Sequence, residues 1–154
     1  MLAFHTILCP TDFSERSASA FYLACSLARD HGARLVVLHV DRPPQTHGEV
    51  VARRDGGYRE QLEEALRGVR PTDPRLSVEH RLEEGEPAET ILRVSNELGC
   101  DLIVMGTHGR TGLRRVLMGS VAEQVVRRAA CPVLTVNAPL PQAAEPPQPA
   151  AHAR

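Results

Sequence analysis

The 154 residues carry 18 basic and 19 acidic side chains, with 42% hydrophobic and 24% charged residues, a balance that suits one folded domain and supplies no cationic field for a polyanion. The five aromatic residues, Phe4, Phe13, Phe21, Tyr22 and Tyr58, are too few for a base-stacking surface, so nucleic acid is not an expected partner. Every basic residue is arginine, which removes lysine Schiff-base chemistry and the ordinary P-loop, and no apolar run reaches membrane-spanning length.

Met1 to Pro10 has no basic segment followed by a long apolar stretch, so the chain reads as cytoplasmic. Thr6 to Cys9 predicts a first strand and Ser14 to His31 a helix closed by Gly32. Arg34 to Val40 is a Val/Leu run without alternation, as in a strand covered on both faces. Asp41 to Asp55, with Pro43, Pro44 and Gly48, predicts a long surface loop. A helix over Gly56 to Val69, a strand over Leu76 to Leu82 and a helix over Pro87 to Leu98 follow, the last opened by Pro87 and closed by Gly99. Asp101 to Met105 is a second continuous apolar strand; Ser120 to Ala129 is a helix in which Ser120 and Glu123 form a capping box; Pro132 to Val136 is the last strand. Residues 1–137 thus form one domain, and 138–154 are a Pro/Ala-rich tail expected to be disordered.

Strands alternating with helices predict an α/β fold: an open, parallel, Rossmann-like sheet covered by helices on both faces. The cysteines, Cys9, Cys25, Cys100 and Cys131, are scattered without a CxxC, and read as reduced packing residues.

The chemistry concentrates in Met105 to Ser120, MGTHGRTGLRRVLMGS, where Gly106, Gly109, Gly112 and Gly119 follow a buried strand and Ser120 opens a helix. Unpaired amides and the positive dipole end at Gly119, Ser120 and Val121 suit an anion. The Ser120 hydroxyl is either a phosphate contact or simply the helix cap. A second segment, Pro10-Thr11-Asp12-Phe13-Ser14, ends the first strand. With strand order 3-2-1-4-5 the loops after Pro10 and Gly106 would open into one crevice, where Asp12 suits ribose hydroxyls or, alternatively, caps the helix beside Ser14. No GxGxxG follows the first strand, which argues against a dinucleotide dehydrogenase.

Other residues have simpler readings. Arg110, Arg114 and Arg115 flank the glycines, and Arg110 is a candidate phosphate contact, although exposed loop arginines are commonly just solvated. Arg127 and Arg128 suit a helix C-terminus. His108 has no assignable carboxylate partner, His39 reads as a packed core residue, and Glu83, Glu84 and Glu86 read as a solvated turn before Pro87. No metal-ligating protein cluster is expected.

At these residues the chain resembles the universal stress protein family, in its ATP-binding branch. That family's motif is Gly, two residues, Gly, nine residues, Gly and Ser or Thr, met here by Gly106, Gly109, Gly119 and Ser120. ILCPTDFSE, LVVLHV, DLIVMGTHGRTGL and GSVAEQVVRRAACPVLTV extend the likeness over nearly all of the predicted domain, outside Asp41 to Asp55 and the tail. The resemblance implies a five-stranded parallel sheet binding ATP with Mg²⁺. In it Asp12, beside Pro10 and Thr11, would hold the ribose, and backbone at Val40 would meet adenine. Met105, Gly106 and Gly109 would line ribose and phosphates, Gly119, Ser120 and Val121 would take phosphate oxygens, and Pro132 to Val136 would pair in a homodimer. The implied role is a nucleotide-dependent stress-response regulator, with an unidentified protein partner, and at most slow ATP hydrolysis or self-phosphorylation. The alternatives are an ATP-hydrolysing or nucleotidyl-transfer enzyme and a nucleotide-free interaction module.

Overall fold

The computed structural model describes residues 1–43, 56–107 and 118–137. His108, Gly109, Arg110, Gly112, Arg114, Arg115, most of the segment from Asp41 to Asp55, and the tail from Ala138 onward therefore lie outside the described residues.

The elements run β1 (Thr6–Pro10), α1 (Glu15–His31), β2 (Arg34–Asp41), α2 (Gly56–Gly68), β3 (Val78–Glu84), α3 (Pro87–Glu97), β4 (Leu102–Gly106), α4 (Ser120–Arg128) and β5 (Val133–Val136). The strands form one sheet in the order β3-β2-β1-β4-β5, and all four pairings are parallel. This is the order on which the sequence-based crevice depended.

Pleat alternation divides the core into two layers. Ile7, Cys9, Leu35, Val37, Leu102 and Val104 pack on one face with Ala20, Phe21, Ala24 and Ala28 of α1 and Leu66 of α2. Leu8, Val36, Leu38, Ile103 and Met105 pack on the other with Ile91 and Val94 of α3 and Ala122 and Val125 of α4. The two-sided burial explains why β2 and β4 read as unbroken apolar runs. In α1 the alanines at positions 20, 24 and 28 recur every four residues, so one narrow stripe of small side chains lets the helix lie close to the sheet.

Helix ends follow local chemistry. Ser14 caps α1, its side chain accepting from the Ser17 amide, and Gly32 closes the helix at φ +64°, in the left-handed region that glycine adopts without a Cβ clash. Ser14→Ala is expected to lower stability by about 1 kcal/mol. Chemical denaturation checks this, and an unchanged midpoint would show that the cap is dispensable.

Most elements shift by one residue at an end from the sequence expectation, and three differences go further. The third strand begins at Val78 rather than Leu76, because Asp73 builds a turn, its carbonyl accepting from Leu76 N and its carboxylate from Arg75 N. It runs on to Glu84, as an edge strand tolerates charge. The run Glu83, Glu84, Glu86 is accordingly only in part a solvated turn: Glu84 and Glu86 are exposed about the bend at Gly85, with Arg42 3.6 Å from Glu86, but Glu83 lies in the strand and accepts from Arg81 and Arg93. The third difference concerns α4. Its N-cap is Gly119, whose carbonyl accepts from Glu123 N, so Ser120 is the first helical residue and the expected capping box is absent. The Glu123 carboxylate instead meets Arg127 one turn later, at 2.9 Å.

Candidate functional site

Strand order reverses direction between β1 and β4, and beyond their carboxyl ends lies a cavity of about 420 Å³. That volume falls in the range of small-molecule sites. Its walls come from the β1 end (Pro10, Thr11, Asp12), the β2 end (Leu38, His39, Val40), the β4 end (Met105, Gly106, Thr107) and the start of α4 (Gly119, Ser120, Val121). Of the residues singled out from the sequence, Pro10, Thr11, Asp12, Val40, Met105, Gly106, Gly119, Ser120 and Val121 all line this one cavity, whereas Gly109 and Arg110 lie outside the described residues.

The loop after β1 is built by short-range hydrogen bonds. Thr11 N donates to Leu38 O at 2.8 Å, extending the β1–β2 ladder one residue past Pro10. The Thr11 hydroxyl accepts from Phe13 N at 3.1 Å and donates to Ser17 Oγ at 3.1 Å. Asp12 Oδ1 accepts from Ser14 N at 3.0 Å, an Asx turn that leads into α1. Asp12 thus performs a local structural role and also lines the cavity.

On the far wall, Thr107 N donates to Val136 O and Gly119 N donates to Thr107 O at 2.5 Å, so both ends of the glycine-rich segment meet at the tip of β4. Gly106 is packed closely: a Cβ there would lie 3.2 Å from backbone and side-chain carbons of Arg16 at the start of α1. No side chain caps α4, and the Ser120 side chain makes no hydrogen bond among the described residues. Among the described residues no side chain therefore competes for the first-turn amides of α4, whose residues line the cavity with the positive end of the helix dipole behind them.

Sequence reasoning missed three wall residues of chemical interest. His39, expected in the core, lines the cavity and donates from Nδ1 to the Thr11 carbonyl at 2.8 Å. Ser17 and Arg42 line it as well. Ser17 falls one turn into α1 on the Thr11 side, a signal available only once the loop geometry is known.

The titrating cysteines lie away from this site. Burial pushes the Cys25 and Cys100 thiols up to about 11 and raises Cys9 further, so none of these three is a ready thiolate. Among the described residues no group of three His, Cys, Asp or Glu side chains is arranged to hold a metal, and no helix is long and apolar enough to cross a membrane.

An open parallel sheet with a cavity at its topological switch point defines a Rossmann-like α/β ligand-binding architecture. Residues 3–137 match the sequence model of the Universal stress protein family, and the chain belongs to that family. It is 36% identical over 142 residues to a universal stress protein of Methanocaldococcus jannaschii, an alignment covering 86% of this chain and 82% of that one. It superposes on the universal stress protein UspA from Lactobacillus plantarum with a TM-score of 0.73 at 25% identity, over 89% of this chain and all of that one. A universal stress protein solved in complex with cAMP matches with a TM-score of 0.65 at 26% identity, covering 88% and 98%.

Proposed function

We propose that the protein binds ATP in the switch-point cavity and acts as a nucleotide-dependent regulator in a stress response, its nucleotide state altering contacts with a second copy or another protein. The observation that carries this reading is the meeting, in one cavity, of the Asp12 loop with an uncapped helix N-terminus. A carboxylate that accepts and a row of amides that donate match the two polar ends of a nucleotide, ribose hydroxyls and phosphate oxygens. A solved relative holding cAMP supports an adenine nucleotide as the ligand class. In this arrangement Asp12 holds the ribose and the Val40 backbone meets the base. Gly106 and Gly109 approach the ribose and phosphates, and Gly119, Ser120 and Val121 bind phosphate oxygens, with Arg110 as a further phosphate contact.

Asp12 is the carboxylate among the described wall residues, which fits a Mg²⁺ ion held chiefly by phosphate and water rather than by a protein cage. Such an ion would neutralise phosphate charge. Asp12 Oδ1 is engaged by Ser14 N and His39 Nδ1 by the Thr11 carbonyl, so neither of these two atoms is free to activate water. The proposed role therefore involves at most slow turnover. β5 is a sheet edge whose Leu134 is 38% exposed, and Val126 of the adjacent α4 is 44% exposed, apolar surface suited to pairing with a second copy along Pro132 to Val136.

Mass spectrometry of denatured, freshly purified protein is expected to release an adenine nucleotide. Saturating ATP with Mg²⁺ should raise the melting temperature by on the order of 5–10 °C, the consequence of about 2.7 kcal/mol at one hundred times Kd. No shift with ATP, together with a shift by cAMP alone, would reassign the ligand, and no response to either would remove the nucleotide reading.

A further inference from the structure

The structure assigns His39 as a positioning residue that fixes the direction of Asp12 into the cavity. The assignment rests on the proposed nucleotide site for its affinity readout, but on local geometry for its content. His39 projects from β2, and its ring meets the residues on both sides of Asp12. Nδ1 lies 2.8 Å from the Thr11 carbonyl, and the imidazole lies against the Phe13 ring with centroids 4.4 Å apart at 34°. A carbonyl oxygen only accepts, so Nδ1 carries the proton.

Phe13 has φ +64°, the sole positive φ among the described non-glycine residues. A phenylalanine holds that conformation when its surroundings over-determine it. The loop supplies part of that constraint through Phe13 N to Thr11 Oγ1, and the His39 ring supplies the rest by covering the Phe13 side chain. With Thr11 fixed by Leu38 O and His39, and Phe13 fixed by the same imidazole, the backbone at Asp12 has little freedom. The left-handed step at Phe13 also returns the chain toward Ser14, whose amide binds Asp12 Oδ1. A histidine placed only for packing would be closed off in the core; this one is half-buried in the cavity wall.

The test compares His39→Leu, which keeps bulk and removes the donor, with His39→Asn, whose amide nitrogen can occupy the place of Nδ1. Titration with Mg²⁺-ATP is expected to show about tenfold weaker binding for His39→Leu and recovery to within about threefold of the parent for His39→Asn, although both lose the ring packing. Amide resonances of Asp12, Phe13 and Ser14 should move in the Leu variant and return in the Asn variant. Equal affinities and spectra in the two variants, whether both altered or both like the parent, overturn the assignment. If the parent itself binds no ATP, the nucleotide reading falls while the resonance shifts still decide the loop clamp. If His39→Leu does not fold, long-range proton–nitrogen spectra of the parent decide instead: a proton on Nδ1 is expected, and a proton on Nε2 alone overturns it.

Discussion

Ile103→Ala is expected to destabilise the protein by about 3–4 kcal/mol, the largest loss of any single truncation argued here. Ile103 is fully buried as the second residue of β4, opposite Leu8 of β1 and Val133 of β5, and belongs to the layer formed with Ile91, Val94 and Val125. Three carbons leave an environment walled by strands on both sides and helices above. Its N–H donates a hydrogen bond to Pro132 O that holds the strand in place, so the walls cannot collapse into the gap. The cavity term therefore adds to the lost transfer energy instead of relaxing away. Urea denaturation should show a lower midpoint with an unchanged slope. Tyr22→Ala, at a side chain 58% exposed on α1, is the control and should change stability by about 0.5 kcal/mol or less. A loss below about 1 kcal/mol for Ile103→Ala would mean that this layer is softer than its burial implies.

The same two-sided burial made the fold legible in the sequence. Leu35 to Leu38 and Leu102 to Met105 are apolar without a break because each face of these strands meets a helix layer, and Gly32 and Gly99, both at positive φ, mark real helix ends. Edge strands were harder to read: β3 carries the charged residues Glu79, Arg81 and Glu83 on one alternation, so its start is set by the Asp73 turn and not by hydrophobicity. The start of α4 was placed correctly, but its cap was misread for a related reason. Ser120 and Glu123 have capping-box spacing, but Gly119 already provides the extended cap conformation, and Glu123 has a nearer partner in Arg127.

Legibility of the candidate site follows the reach of each interaction. Spacing within Met105 to Ser120 and the reversal of strand order sufficed to bring Asp12 and Ser120 to one cavity, because both are consequences of topology. The role of His39 was not readable, since it depends on a side-chain contact between β2 and a loop whose left-handed residue is a phenylalanine. Positive φ is usually signalled by glycine or asparagine, and here that signal is missing.

Asp12→Ala provides the second large effect and also tests the direction in which the ligand lies. If Asp12 accepts from ribose hydroxyls, each charge-assisted hydrogen bond contributes about 1.5–3 kcal/mol, and removing the carboxylate should weaken ATP binding by on the order of 10–100-fold. The structural penalty is smaller, because only the Oδ1 bond to Ser14 N is lost, and the helix retains its Ser14 cap. Asp12→Asn separates the two contributions: it keeps an acceptor for Ser14 N, so stability should match the parent, while the loss of charge should leave binding intermediate. The sign of the change is as informative as its size. A carboxylate about 4 Å from a phosphate would repel it by about 4 kcal/mol at an effective dielectric of 20, so a ligand lying the other way round would bind Asp12→Ala more tightly. Weaker binding by calorimetry therefore places the sugar at Asp12 and the phosphates at the amides of Ser120 and Val121. Tighter binding reverses the ligand in the cavity, and an unchanged Kd moves it away from β1 altogether.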